Sequence, residues 1–317
     1  MRFFISLSYN GRSFNGWQVQ PGHPSVQSEL ERAFSLFFGL PLSVTGAGRT
    51  DSGVHAVNYV AHIDIEERLV RPEDLPRTIY KINAILPSDI VIHDICQVQD
   101  DAHARFDATS RSYNYFVHTS KDPFLGQYSY FYPYELDIDK MNEAAQYLLG
   151  EQDFTSMAKL HTDVKTNICT VTRALWHPAA PLTFSPLAEN SSIRLLNQNG
   201  ELSTCVHQKS TDSDDRNNTG SRHNNFIPAT PKTLCFTITA NRFLRNMVRA
   251  VVGSLLEVGR GRKEPIWIKE LLEEKNRSSA GNSVPAHPLF LTHIEYPYPT
   301  FNYSPQASSE SPYKNLE

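Results

Sequence analysis

Strand-like and helix-like stretches alternate along this chain in an order that occurs twice, and that recurrence limits the folds open to it. Residues 2–9 alternate as a strand, with Phe3, Ile5 and Leu7 on one face and Phe4, Ser6 and Ser8 on the other. Ser25 precedes a helical stripe of Val26, Leu30, Phe34 (or Ala33), Phe37 and Phe38, which Pro41 ends. A strand leads into the glycine-rich residues 46–56, another covers 56–65, a helix near 73–84 carries Leu75, Ile79 and Ile82, and a strand spans 89–95. This β-α-β-β-α-β order suits an antiparallel sheet covered by helices on one side, the split βαβ pattern. In the second half a strand at 111–118 is followed by a helix at 139–149 that stops at Gly150, and by strands near 169–176 and 233–240. A long helix at 241–258, a shorter one at 265–275 and a last strand at 289–296 complete it. The expected fold class is α+β. It has two lobes, residues 1–108 and 109–300, each with an antiparallel or mixed sheet covered by helices, and a cleft between them as the natural ligand site.

Two stretches stand outside this order. Residues 178–232 are rich in Ser, Thr, Asn, Asp and Pro and lack the apolar density to fold alone, so they read as a long, mobile insertion between two strands. The tail, 301–317, reads as similarly loose. No run of about 18 apolar residues exists to cross a membrane. The N-terminus alternates as a strand does, without the cleavage site of a signal peptide. Cys96, Cys169, Cys205 and Cys235 lie far apart and form no C-x-x-C pair, which fits reduced thiols in a cytoplasmic protein and indicates neither a zinc site nor a disulfide framework.

The stretch Gly46-Ala47-Gly48-Arg49-Thr50-Asp51-Ser52-Gly53-Val54-His55-Ala56 is the first candidate site. Its three glycines permit tight turning and close approach of a ligand. In an extended backbone Arg49 and Asp51 leave on the same face, where Arg49 would pair with the Asp51 carboxylate and hold its orientation. A fixed carboxylate among glycines suits attack on a substrate or proton transfer. A hairpin turn capped by Asp51 explains the spacing equally well.

The second candidate is residues 241–259. Phe243, Met247, Val251 and Leu255 form one i, i+4 row and Leu244, Val248, Val252 and Leu256 the next, making a wide buried face. The other side carries Arg242, Arg245 and Arg249 within two turns, and Arg260, Arg262 and Lys263 follow. A solvated face on a core helix and a phosphate-binding surface both account for them. The net charge of −4 argues weakly against a nucleic-acid partner, but says little about local patches.

Eight segments in register resemble the tRNA pseudouridine synthase I (TruA-like) family. They are Gly48-Arg49-Thr50-Asp51-Ser52-Gly53-Val54-His55-Ala56, Phe14-Asn15-Gly16-Trp17-Gln18-Val19-Gln20, Ile82-Asn83-Ala84-Ile85-Leu86-Pro87, Ala102-His103-Ala104-Arg105-Phe106-Asp107-Ala108, Arg111-Ser112-Tyr113-Asn114-Tyr115, Gly150-Glu151-Gln152-Asp153-Phe154-Thr155-Ser156, residues 243–253, and Pro285-Ala286-His287-Pro288-Leu289-Phe290-Leu291. The match spans the chain except 178–232 and the tail.

The resemblance implies isomerisation of uridine to pseudouridine in the tRNA anticodon stem-loop, at positions 38–40, by a homodimer with a basic cleft, without cofactor or metal. By position it makes Asp51 the catalytic aspartate, Arg49 its motif partner and Tyr113 the active-site tyrosine against a flipped base. Arg249 and Arg245 would contact the RNA, and Leu289 or Leu291 would pack near the base. Arg245 and Ala250 depart from the histidine and asparagine more frequent in the family. Two other readings stand beside this one: an RNA-binding protein of the same fold without catalysis, against which the intact Arg49-Thr50-Asp51 motif speaks, and a retaining glycosidase, which would need a paired acid.

Overall fold

The computed structural model describes residues 1–159, 166–179 and 233–301. The segment read as an insertion therefore lies outside the described residues but for Pro178 and Ala179, and so does the tail after Phe301. In chain order the elements of the first half are β1 (Arg2–Tyr9), α1 (Val26–Phe38), β2 (Val44–Gly46), β3 (His55–Asp64), α2 (Leu75–Ile85) and β4 (Ile90–Val98). Those of the second half are β5 (Ser110–His118), β6 (Tyr130–Phe131), α3 (Ile138–Gln146), β7 (Gly150–Asp153), β8 (Ile168–Pro178), β9 (Thr233–Ala240), α4 (Met247–Gly259), α5 (Trp267–Glu274) and β10 (Leu289–Glu295). The class is α+β. Among the described residues no helix is long and apolar enough to cross a membrane.

Local chemistry accounts for the boundaries. Ser25 caps α1 by accepting from the Ser28 N–H at 3.1 Å while Ser28 Oγ accepts from the Ser25 N–H at 3.2 Å, a reciprocal box. The helix then stops at Gly39, in the left-handed region at φ 73°, two residues before Pro41. Its buried residues Val26, Leu30, Ala33 and Phe34 lie on the expected stripe, whose last members, Phe37 and Phe38, are only partly buried.

The strands form a ten-stranded sheet in the order β4-β1-β3-β10-β5-β9-β8-β7, with β2 also on β3 and β6 on β5. Pairing is antiparallel except for β10 on β3 and β6 on β5. The two halves thus share one sheet, joined through the last strand. Each half keeps its own apolar core, one built on β1–β4 with α1 and α2, the other on β5, β8 and β9 with α3–α5. The joining strand serves both: Leu289 is buried with the second core, Leu291 and Ile294 with the first.

The largest departure from expectation is at residues 241–258. The helix begins only at Met247, after Asn246 in the left-handed region at φ 67°, and Arg242 and Arg245 lie on the irregular segment before it. Eleven of the thirteen residues of α4 are buried, so it has no solvent face on which a row of arginines could sit. Strand β9 runs to Ala240, and the chain needs the next six residues to turn from sheet to helix. Only Arg249 of the three arginines is on the helix.

Two buried histidines make stability pH-dependent. His55 Nδ1 accepts the Gly11 N–H at 3.1 Å, and His62 Nδ1 accepts the Ala104 N–H at 3.1 Å, so both rings are held unprotonated at that nitrogen. Burial is the main force pulling each to about 4. In the unfolded chain they titrate near 6.5, so between pH 6.5 and 4 the unfolded state binds more protons, and stability is lost as pH falls through that window. At pH 5 the loss amounts to at most about 2 kcal/mol per histidine. Urea midpoints measured from pH 7.5 to 4.5 are expected to fall across it; a flat profile refutes the assignment.

Candidate active site

The glycine-rich loop occupies a gap that the sheet leaves for it. Along one edge of β3, β2 pairs with Ala61–Ile63 and β10 with His55 and Ala56. Residues 47–54 leave β2 and return to β3 between those two neighbours. Loops held at both ends by a sheet present side chains with the rigidity of the sheet.

A second segment clamps the loop. The Trp17 N–H donates to the Thr50 carbonyl at 3.3 Å, Ser52 Oγ donates to the Phe14 carbonyl at 3.3 Å, and the Tyr9 and Thr50 hydroxyls meet at 2.9 Å. Gly16 sits at φ +87°, and a Cβ there would overlap the Thr50 carbonyl, so only glycine permits this approach. Tyr59 donates to the Gly48 carbonyl and stacks on Trp17 with ring centres 4.2 Å apart. On the far side of Asp51, Gly53 turns the chain at φ +81°, and Val54 is buried in the core of the second half. The loop is therefore anchored in both halves of the molecule.

Asp51 does not pair with Arg49. Its two oxygens face Arg249 Nη1 at 3.4 Å and Arg245 Nε at 3.7 Å. Residues 50 and 51 are irregular and 52–53 form a turn, so the i, i+2 geometry of an extended strand, on which the expected Arg49 pairing rested, does not hold here. Arg249 is itself fixed, because its Nε donates to the Val284 carbonyl at 2.7 Å and its carbonyl accepts the Val284 N–H at 3.2 Å. Both contacts to Asp51 are long beside the roughly 2.8 Å of a tight charge-assisted hydrogen bond, which leaves carboxylate lone pairs for a third partner. Arg49 is exposed.

Asp51 lies in a cleft of about 2130 Å³, well above the roughly 300–1,000 Å³ of small-molecule pockets. Arg49, Tyr113, Arg245, Arg249, Leu289 and Leu291, the other residues singled out in the sequence, line the same cleft. Tyr113 meets Phe243 edge-on at 5.1 Å; burial, with the negative charge of Asp51 in support, pushes its hydroxyl up to about 12, so it stays a neutral donor at physiological pH. Sequence reasoning assigned no role to Arg105, Arg111, Lys159 or Arg277, which also line it, and counted Arg242 only within the basic run. Arg111 ties the cleft together: its guanidinium donates to the carbonyls of Ala108, Asn241, Ala47 and Arg105 at 2.6–3.3 Å. The available signal was an arginine inside a strand pattern, two residues before Tyr113.

Among the described residues, eight basic side chains and a single acid, Asp51, line this cleft in a chain of net charge −4. Such an arrangement focuses positive potential on one opening and suits an extended polyanion with one reactive carboxylate at its centre.

Residues 144–297 match the family model described as tRNA pseudouridine synthase. A tRNA pseudouridine synthase A of Bacteroides fragilis is 42% identical over 300 residues, covering 95% of this chain and 98% of that protein. The protein of that name from Porphyromonas gingivalis is 41% identical over 300 residues, covering 95% and 99%. The one from Bacillus subtilis is 34% identical over 302 residues, covering 93% and 99%.

Proposed function

Because the chain belongs to the tRNA pseudouridine synthase A family, we propose that it isomerises uridine to pseudouridine in tRNA, with Asp51 as the group that acts on the target nucleotide. The observation that carries this reading is a carboxylate facing two arginines in a cleft whose other charged lining, among the described residues, is basic. We extend the proposal, on the resemblance of the motifs, to uridines 38–40 of the anticodon stem-loop, to a homodimer and to the cytoplasm. Two separate apolar cores support a division of the chain near residue 108.

The reaction breaks N1–C1′, turns the uracil and forms C5–C1′. The C5 proton is released and N1 takes one up, so composition is unchanged and nothing is consumed. A carboxylate can serve by adding to C1′, by adding to C6 or by removing the C2′ proton, and each route needs an oxygen with a free lone pair. The long contacts to Arg245 and Arg249 leave one. The target base has to leave its stack first, at a cost of a few kcal/mol. Tyr113, Leu289 and Leu291 form the wall that receives it, which offsets part of that cost. The Tyr113 hydroxyl, which lines the same cleft as Asp51, is the group we assign to relay the C5 proton, directly or through water.

The test is tritium release from unmodified tRNA carrying uridine labelled at C5, with the product position mapped. Release mapped to 38, 39 or 40 is expected. Tight tRNA binding without release from any of several tRNAs would favour the reading as a non-catalytic RNA-binding protein.

A further inference from the structure

Phe106 is 74% exposed, yet the turn that carries it is hydrogen-bonded on every side. His103 Nδ1 accepts the N–H groups of both Arg105 and Phe106, at 3.1 and 3.3 Å. Asp107 Oδ2 accepts the His103 N–H at 2.7 Å and the Tyr298 hydroxyl at 2.7 Å. The Ala104 N–H is bound by buried His62, its carbonyl takes the Tyr296 hydroxyl at 2.6 Å, and Arg111 holds the Arg105 carbonyl at 2.6 Å. Surface turns are ordinarily mobile and polar at their tips. Here a rigid turn presents a phenyl ring that fills no core.

The ring's surroundings give that placement a purpose. Phe106 lines the Asp51 cleft, backed by the His103 ring at 4.3 Å and flanked by the Arg105 guanidinium at 5.6 Å. Arg105 also borders, with Arg49, a smaller cavity of about 160 Å³ beside the cleft. An exposed aromatic face next to cations that track a phosphate backbone is the arrangement with which proteins hold unpaired bases.

We propose that Phe106 is a stacking platform for an unpaired base neighbouring the target uridine, with Arg105 neutralising the adjoining phosphate. The proposal rests on the tRNA reading of the cleft. Stacking on a fixed ring tolerates any base, so the platform sets the position of the loop and not its sequence. Holding one neighbour in place keeps the flanking nucleotides from following the target base as it leaves the stack.

Equilibrium binding of a fluorescein-labelled, unmodified tRNA transcript across a salt series tests it, with the full chain as wild type, Phe106→Ala and Phe106→Trp. Phe106→Ala is expected to weaken binding about 5- to 100-fold with an unchanged salt slope, because a stacking face is lost and no cation is removed. Phe106→Trp is expected to bind within about threefold of wild type, and its added fluorescence, read as the difference from wild type, to be quenched on saturation with tRNA. Binding by Phe106→Ala within twofold of wild type, or an added indole signal in Phe106→Trp that stays unquenched at saturation, overturns the platform. Wild-type tritium release is read separately. Release together with unaltered Phe106→Ala binding removes this inference alone, whereas quenching without release removes the catalytic reading and leaves the platform.

Discussion

Asp51→Ala is expected to abolish tritium release from C5-labelled uridine while tRNA binds as tightly as to the wild type, or more tightly. The chemical half follows from the census of the cleft. Asp51 is the one acid among its described lining residues, so no second carboxylate there stands ready to replace it. The binding half follows from charge. Removing the only negative group from the described lining, which carries eight cations, frees Arg245 and Arg249 for phosphate, and electrostatics supplies much of RNA affinity. A mutant that merely misfolded would lose both properties. Release at the wild-type rate would remove Asp51 from the mechanism, and a large loss of affinity would mean that the carboxylate organises the cleft rather than acting in it.

Arg249→Ala and Arg245→Ala are expected to differ in kind, although both residues face Asp51. Arg249 is 24% exposed, bonded through Nε to the Val284 carbonyl and through Nη1 to the carboxylate. Its loss leaves that carbonyl without its donor and Asp51 without its better-ordered neighbour. Displacing a reactive group by about 1 Å costs on the order of 100-fold in rate, which sets the expected fall in single-turnover rate at saturating tRNA. Arg249→Lys keeps the charge but not the fork that bonds Val284 and Asp51 together, and is expected to recover little of that rate. Arg245 is 61% exposed and 3.7 Å from Asp51, so its removal is expected to change the rate less than about tenfold, as fits a screened pair. Its effect falls on affinity, lowering the slope of log K against log salt by about one. Equal rate losses for the two alanine variants, with melting temperatures unchanged, would refute the distinction.

The helices other than α4 could be read from side-chain periodicity because each has one buried face. The stripe of α1 records that face directly, whereas β1 and β3 are buried on both faces over Phe3–Leu7 and Tyr59–Ile63, so their sequence alternation marks a strand without marking one buried side. Residues 241–246 misled for the opposite reason. Phe243 and Leu244 continue the rows of α4 in sequence, but periodicity does not show where an adjoining strand ends or where Asn246 adopts the left-handed conformation. Strands as short as β6 and β7, of two and four residues, hold too few residues for a pattern.

The chain's own sequence determined the composition of the site: a carboxylate among glycines, arginines near residue 245, a tyrosine in a strand, leucines near the end. These are local facts, set by residue type and spacing. Tertiary structure alone decided which arginine meets the carboxylate, since residues 51 and 249 are 198 positions apart and the i, i+2 neighbour Arg49 makes no pair with it. It also decided that β10 joins two cores into one sheet and that Arg111 binds four separate carbonyls. Packing gathers groups from distant positions around a common cavity, and no local pattern encodes the distance between them.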